Sequence, residues 1–214
     1  MTELSALPKF RRRAAERPDE VLDAALALFS AQGFARTTVA QVAARAGLSK
    51  AAVYLYFPSK QALLQALVHR AVASVAGQAV GQMQGHRGDP RPVLAGFLRQ
   101  IAARMADPAH AAVPALILRE APHSPDIAAI YRDEVLALVM PALTGLIAQG
   151  VAGGHIRPVD PELTVRSVVG PLLIHVLLAR VFAIQPADGL ALDRLVENHL
   201  TILDAGLAPE KAAS

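Results

Sequence analysis

The sequence predicts an all-α protein, in which four short N-terminal elements precede a larger helical unit, with about nine helices in total. Alanine and leucine dominate a composition that is 53% hydrophobic, while aromatic residues make up only 4%. This mixture favours helices, because strands are richer in β-branched and aromatic side chains. Prolines, glycines and small hydroxyl residues also recur at the spacing expected of helix starts and stops.

The first predicted helix runs from about residue 18 to residue 32. Pro18 suits its first position, and Gly33 suits its C-terminal stop. Apolar residues at helical spacing indicate its buried face. They are Val21, Leu22, Ala25, Leu28 and Phe29.

Two short helices follow. Thr38 and Gln41 match a capping box at the start of one helix, which Gly47 ends by adopting a positive φ. Ser49 caps the other helix, and Pro58 must end it near residue 56.

A long helix is predicted from the cap residue Ser59 to about residue 83, and the segment 84–90, with two glycines and a proline, is the predicted break between units. Further helices are predicted at about 91–106, 109–120, 125–150, 161–185 and 189–205. Ser124 and Asp160 each precede a proline and should cap the helices that follow. Pro141 and Pro171 lie inside helical patterns and should kink them.

Composition argues against several classes of protein. The chain has no cysteine, which excludes disulfides and thiolate metal sites. The seven histidines form no HExxH or similar cluster, and no phosphate-binding or nucleophile motif is present, so we expect no metal, no cofactor and no enzyme activity. The basic N-terminal residues are followed by Pro18 and two acidic residues rather than an apolar run, so a cytoplasmic protein is expected.

One stretch, residues 167–184, is about long and apolar enough to cross a bilayer. It also contains His175, Arg180 and a proline. A helix that is apolar nearly all round can equally be covered by its own domain on one side and a second subunit on the other, and we favour this interpretation.

Residues 38–57 predict a helix-turn-helix, in which the second helix enters the major groove of DNA and the first supports it. Apolar residues occupy its inward positions: Val39, Val42, Ala43, Ala46, Leu48, Val53 and Phe57. Lys50 and Tyr54 share a face of the second helix. Lysine can donate to guanine, whereas Ala51 and Leu55 offer apolar contact to thymine methyl groups. The alternative for Tyr54 and its neighbour Tyr56 is ordinary half-buried packing.

The chain resembles the TetR family of bacterial regulators over residues 21–67. The resemblance lies in an AxxLFxxxGF segment ending at Phe34, in TTVAQVAARAGLS at 37–49 and in VYLYFPSKQALL at 53–64. It implies phosphate contacts from Thr38, Ser49, Tyr56 and Lys60, and base contacts from Lys50, Ala51, Tyr54 and Leu55. Position 55 is often aromatic or histidine in this family, so the leucine here argues against a hydrogen bond from that position.

The resemblance implies three regions: a basic flexible arm (1–17), the DNA-binding domain (18–66) and a ligand-binding and dimerisation domain (67–208). Segments 116–135 and 155–173 look like the C-terminal domain of the AefR-like branch. By analogy, the helices at 161–185 and 189–205 should form a homodimer interface. The arm, with arginines at 11–13, is either a solvated tail or a source of additional phosphate or minor-groove contacts.

A pocket in the C-terminal unit should be lined mainly by aliphatic side chains and methionine, and should suit a small hydrophobic or amphipathic effector. Polar side chains within its helices are the candidate ligand contacts: Arg104, Arg119, His123, Tyr131 and His175. For Arg119 the favoured alternative is an ion pair with Glu120, and for His175 it is a hydrogen bond in the core or at an interface.

The function predicted from the sequence is a ligand-released repressor that binds a palindromic operator as a dimer. An activator of the same family is the alternative within this class, because the polarity of regulation depends on operator placement. A module that binds membrane surfaces through its basic tail and apolar helices is the alternative from another class.

Overall fold

The computed structural model describes residues 9–209, with side-chain surroundings for residues 17–73, 76–107 and 110–209. This part of the chain contains no strand and eleven α-helical segments. They are α1 (Lys9–Gln32), α2 (Val39–Arg45), α3 (Lys50–Tyr56), α4 (Lys60–Val68), α5 (Ser74–Gly85), α6 (Arg91–Ala106), α7 (Pro108–Glu120), α8 (Pro125–Tyr131), α9 (Ala137–Ala152), α10 (Pro161–Val181) and α11 (Leu192–Leu207). Single π-helical turns, His69–Ala73 and Arg132–Leu136, join α4 to α5 and α8 to α9. With each joined pair counted as one helix, the predicted all-α fold of about nine helices is confirmed.

The predicted start of the first helix is wrong. Helix α1 begins at Lys9, so that Pro18 lies inside it rather than at its first position. A proline removes one backbone hydrogen bond from a helix interior, but alanine, glutamate and arginine at residues 14–17 are strong helix formers and continue the helix on the N-terminal side. The predicted arm 1–17 is therefore helical from residue 9, and its side chains up to residue 16 lie outside the described part.

The predicted caps of the short helices are confirmed. The Thr38 hydroxyl accepts from the Gln41 N–H and the Gln41 side chain accepts from the Thr38 N–H, which completes the capping box. Ser49 and Ser59 cap α3 and α4 in the same way, through the N–H groups three residues later. Gly47 has a φ of 67°, the left-handed conformation that its predicted role as a helix stop requires.

The N-terminal helices form a small apolar core. Val21, Ala25 and Phe29 of α1 are fully buried against α2 and α4. The inward positions of the helix-turn-helix are buried as predicted, except that Ala46 and Leu48 are only half-buried. The core continues without interruption into the C-terminal unit, where α5 packs on α9, α10 on α9 and α11, and α11 on α6.

Helix α10 ends at Val181, four residues earlier than predicted, and α11 begins at Leu192, three residues later. Ala183 and Ala191, with φ of 54° and 44°, interrupt the helical backbone on either side of the loop. At the start of α10, Asp160 caps the helix through the Leu163 N–H as predicted, whereas Ser124 precedes α8 without a side-chain cap bond.

Two helices of the described chain are long and apolar enough to cross a membrane by length and composition: Pro125–Ala152 and Pro161–Val181. Only the second overlaps the apolar stretch singled out in the sequence. Only 33% and 22% of their most apolar windows are buried within the single chain. Both helices therefore leave apolar surface for another molecule to cover.

Candidate nucleic-acid interface and internal cavity

Helix α3 presents a row of side chains to solvent. Lys50, Ala51, Tyr54 and Leu55 are all exposed, and Leu55 keeps 84% of its surface accessible. The Lys50 ammonium lies 5.7 Å from the centre of the Tyr54 ring, so that the two side chains form one cationic and aromatic unit. On the opposite side of α3, the fully buried Val53 fixes the helix against the core. All four residues predicted to face bases thus share one accessible face.

The residues predicted to contact phosphates surround this face. The hydroxyls of Thr38 and Ser49 each accept a backbone hydrogen bond at the start of a helix. The Ser49 hydroxyl keeps its own hydrogen for an outside acceptor. Tyr56 is 38% exposed, which is compatible both with a phosphate contact and with the half-buried packing alternative.

Lys60 has a structural role at the base of the interface. Its ammonium donates to the carbonyls of Phe34 (2.8 Å) and Ala35 (3.2 Å), and lies 4.4 Å from the centre of the Phe34 ring. Partial burial lowers the pKa of Lys60. Because an ammonium has three donors, one remains for the predicted phosphate contact after these two bonds.

This region is positively charged because it lacks carboxylates as much as because it contains basic side chains. No aspartate or glutamate occurs between Asp23 and Asp89 in the sequence. Arg36, before α2, and Arg45, its last residue, are exposed and complement Lys50 on α3. The helix-turn-helix therefore presents positive charge without a compensating negative group, as expected of a surface that binds a polyanion. This acid-free run was a signal that the sequence analysis did not use.

The C-terminal unit encloses a cavity of about 470 Å³. Its walls come from α5, α6, α7, α8, α9 and α10 and are predominantly apolar, with Phe97, Met105 and Met140 among them. The polar lining side chains are Gln100, Arg104, His110 and Tyr131. This volume lies within the roughly 300–1,000 Å³ of small-molecule sites, and the lining agrees with the predicted hydrophobic pocket.

Both π-helical turns border this cavity. Ala71 and Val72 belong to the first turn, Val135 and Leu136 to the second, and all four line the cavity. A π turn interrupts regular hydrogen bonding within a helix and is frequent at functional sites. The first turn lies in the helix that runs from the helix-turn-helix into the C-terminal unit, so this helix touches both sites.

The structure brings only two of the five predicted ligand contacts to the cavity. Arg104 and Tyr131 line it, whereas Arg119, His123 and His175 do not. His175 donates to the carbonyl of Leu190 (2.7 Å) and so fastens α10 to the following loop, as its alternative interpretation predicted. His123 is exposed on the short turn after α7. Gln100 was not among the predicted contacts, although it lies one helical turn from Arg104 on the same face.

Arg119 and Glu120 connect the two units. The ion pair considered for them is present, with Nε and Oε1 3.0 Å apart. The Arg119 guanidinium also donates to the carbonyls of Phe29 (2.9 Å) and Ser30 (3.2 Å) at the end of α1. Glu120 accepts from the N–H of Phe34 (3.3 Å) in the loop that follows. The end of α7 therefore holds the segment that leads into the helix-turn-helix.

Comparison with known proteins gives two matches to one family. Residues 21–67 match bacterial regulatory proteins of the tetR family, and residues 86–198 match the tetracyclin repressor-like C-terminal domain. The second match alone spans more than half of the chain. It does not test the AefR-like assignment, which stays a prediction.

The curated relatives include several HTH-type transcriptional regulators. RutR of Escherichia coli (strain K12) is 29% identical over 168 residues, which are 72% of this chain and 71% of RutR. AcrR of Shigella flexneri is 30% identical over 86 residues, 40% of each chain. YerO of Bacillus subtilis is 43% identical over 49 residues, 23% of this chain and 17% of YerO. The chain thus spans less than half the length of AcrR and of YerO, and 71% of the length of RutR.

Solved structures share the fold at low identity. SmeT, the repressor of the Stenotrophomonas maltophilia multidrug efflux pump SmeDEF, matches with a TM-score of 0.72 and 22% identity over 92% of this chain and 93% of SmeT. FadR of Bacillus subtilis, solved with stearoyl-CoA, matches with a TM-score of 0.69 and 20% identity over 88% and 98% of the two chains.

Proposed function

Because the chain belongs to the TetR family of bacterial regulatory proteins, we propose that it is a cytoplasmic, ligand-responsive repressor that binds a palindromic operator as a homodimer. The observation that carries the proposal is the exposed face of α3, with Lys50, Ala51, Tyr54 and Leu55 together on one side. An exposed row that combines a cation, an aromatic ring and bare apolar side chains suits base edges and thymine methyl groups better than it suits solvent.

Surface left open by α10 and α11 supports the homodimer. Leu163, Ile174 and Val181 recur along one side of α10 and keep 59%, 51% and 57% of their surfaces exposed, and Ile202 of α11 keeps 61%. A second copy that covered these side chains would form an isologous interface. Its twofold axis would place the two α3 helices on half-sites about one DNA turn (~34–36 Å), or a multiple of it, apart, and this spacing requires an inverted repeat.

The cavity supports regulation by a small hydrophobic effector. The solved relatives include SmeT bound to triclosan and FadR bound to stearoyl-CoA, and both ligands have extended apolar parts. An effector in this cavity would touch the π turn of the α4–α5 helix and the end of α7, the two connections to the helix-turn-helix. It would release the operator to the extent that it binds the released conformation more tightly than the operator-bound one.

Operator selection from random duplex DNA tests the proposal. The full chain would be compared with Lys50→Ala, Tyr54→Ala and, as a matched control, Arg87→Ala, which alters an exposed arginine on the loop after α5. We expect an inverted repeat to be enriched, to bind each α3 variant roughly tenfold or more weakly and to bind the control normally.

If no sequence is enriched, and binding varies with the salt concentration but not with the DNA sequence, the proposed recognition role of α3 is wrong. If an operator is enriched, a reporter gene driven by a natural promoter that contains this operator would decide between a repressor and the activator alternative. Binding to anionic vesicles but to no operator would support the membrane-surface alternative.

A further inference from the structure

The polar groups of the cavity carry an unbalanced charge. Arg104 is the only arginine or lysine among the lining residues of the described chain, and these residues include no aspartate or glutamate. Within the described part, no hydrogen bond or ion pair engages the Arg104 guanidinium. Asp107, three residues further on, is hydrogen-bonded to His110 Nδ1 (2.7 Å) and does not line the cavity.

The Arg104 guanidinium borders an apolar cavity without an anionic partner. The side chain is half-buried on α6, between the buried Ala102 and Met105. A cation that is partly removed from water favours an opposite charge, and a guanidinium binds carboxylate and phosphate oxygens through two parallel hydrogen bonds. Gln100, one turn earlier on the same helix, supplies an amide that can donate to the same head group.

The cavity is polar at one position and apolar elsewhere. Exposed lining residues, Pro122, Leu136 and Leu173, mark its opening to solvent, while Phe97, Leu98 and Val139 form buried walls. Tyr131, on the wall formed by α8, has a pKa raised by burial, so its hydroxyl stays protonated and can donate to a ligand. The cavity therefore offers space to an apolar body, a single cationic anchor and a neutral donor.

We infer that the effector is an anionic amphipath, whose carboxylate or phosphate binds Arg104 and whose apolar body fills the cavity between α5, α6 and α9. This inference rests on the proposed function, because it names the ligand class of the same cavity. Neutral and cationic molecules of equal length would leave the guanidinium unpaired, and a cation would also be repelled by it.

Displacement of the neutral dye N-phenylnaphthylamine from the full chain tests the inference. The competitors are decanoate, decyl phosphate, decanol and decyltrimethylammonium, which share one tail and differ in the head group. The proteins are the wild type, Arg104→Gln, Arg104→Lys and Arg87→Gln, the last of which removes an exposed charge outside the cavity. Release of the selected operator would be measured in parallel with each competitor.

We expect at least one of the two anions to displace the dye at roughly tenfold or more lower concentration than decanol, which corresponds to about 1.4 kcal/mol. Arg104→Gln should remove this preference, Arg104→Lys should restore part of it, and Arg87→Gln should leave it intact. The tighter of the two anions identifies the head group.

Equal affinity for the anions and decanol, or equal losses in Arg104→Gln and Arg87→Gln, would overturn head-group recognition. If decanol still released the operator in that case, the cavity would remain the effector site, and the proposed function would stand. Absence of both dye displacement and operator release with every competitor would overturn the effector site as well as the inference.

Discussion

Leu55 is the most exposed large apolar side chain in the described part of the protein, with 84% of its surface accessible. It follows Tyr54 on α3, and Ala51 lies one turn before it. Exposure to water does not stabilise an aliphatic side chain at this position. Contact with a thymine methyl group in the major groove would stabilise it, because burying both groups removes apolar surface from water.

The first prediction concerns this contact. Leu55→Ala should weaken binding to the selected operator by about 1 kcal/mol, roughly fivefold, for each half-site. Replacing the contacted thymine by uracil, which lacks the methyl group, should weaken the wild type by a similar factor. Fluorescence anisotropy with both proteins and both duplexes would measure the coupling between the two changes.

The uracil substitution should have little further effect on Leu55→Ala, because the variant has already lost the contact. If the losses of affinity from Leu55→Ala and from the uracil substitution add at every thymine of the operator, Leu55 does not recognise a methyl group. The identification of the operator would still stand.

At the scale of helices, the capping hydrogen bonds could be predicted from the sequence, whereas the contacts between distant segments could not. The caps at Thr38, Ser49 and Ser59 follow from side chains bonding to backbone groups three residues away, so the sequence alone sufficed for them. The exposed face of α3 followed from helical periodicity. The π turns and the loop between α10 and α11 depend on packing between distant segments.

The same distinction explains the site residues. Arg104 and Arg119 look alike in sequence, as arginines in apolar helices. Arg104 lines the cavity, whereas Arg119 bonds to α1, 90 residues away along the chain. Only the path of the whole chain separates the two roles, so the sequence analysis grouped both as candidate ligand contacts.

Two glycines of α9 give an element-scale prediction with an internal control. A Cβ at Gly150 would lie 2.5 Å from Pro90 Cγ and 2.9 Å from Ile156 Cδ1, whereas a Cβ at Gly145 would have no atom within 4 Å. Gly150→Ala should lower the free energy of unfolding by about 2 kcal/mol through overpacking. Gly145→Ala should raise it by about 0.5–1 kcal/mol, because alanine has the higher helix propensity.

Urea unfolding monitored by circular dichroism would measure both α9 variants at one protein concentration. If both variants were destabilised by a similar amount, the loss at Gly150→Ala would not result from its specific contact with the α5–α6 loop. A methyl group would then be unfavourable at both positions of α9.

At the scale of the whole molecule, the apolar face of α10 predicts the assembly state. Ile174→Glu places a charge on that face, whereas Leu138→Glu makes the same type of change on α9, at a side chain with nearly equal exposure (48% against 51%). Sedimentation velocity should find a monomer for Ile174→Glu and a dimer for Leu138→Glu, because desolvating an unpaired carboxylate opposes association. Operator binding by Ile174→Glu should fall with its dimerisation. A dimer in both variants would assign the interface to another surface.

Communication between the cavity and the helix-turn-helix provides the last prediction. Ile117 and Leu118 line the cavity, and the next two residues, Arg119 and Glu120, hold the end of α1 and the loop at Phe34. An effector that displaces the end of α7 would therefore move the segment leading into α2. The α4–α5 helix, with its π turn at the cavity, gives a second route to the same domain.

Arg119→Met keeps the apolar stem but removes the donors to α1, so it should reduce the factor by which an anionic amphipath lowers operator affinity. Effectors of this kind typically change affinity by 1–3 kcal/mol, and we expect about half of that effect to be lost. Operator titrations with and without decanoate, or another amphipath that releases the wild type, would measure the loss, with Arg87→Met as control. Linkage requires the operator's effect on effector affinity to fall by the same factor. An unchanged factor in Arg119→Met would assign the coupling to the α4–α5 helix alone.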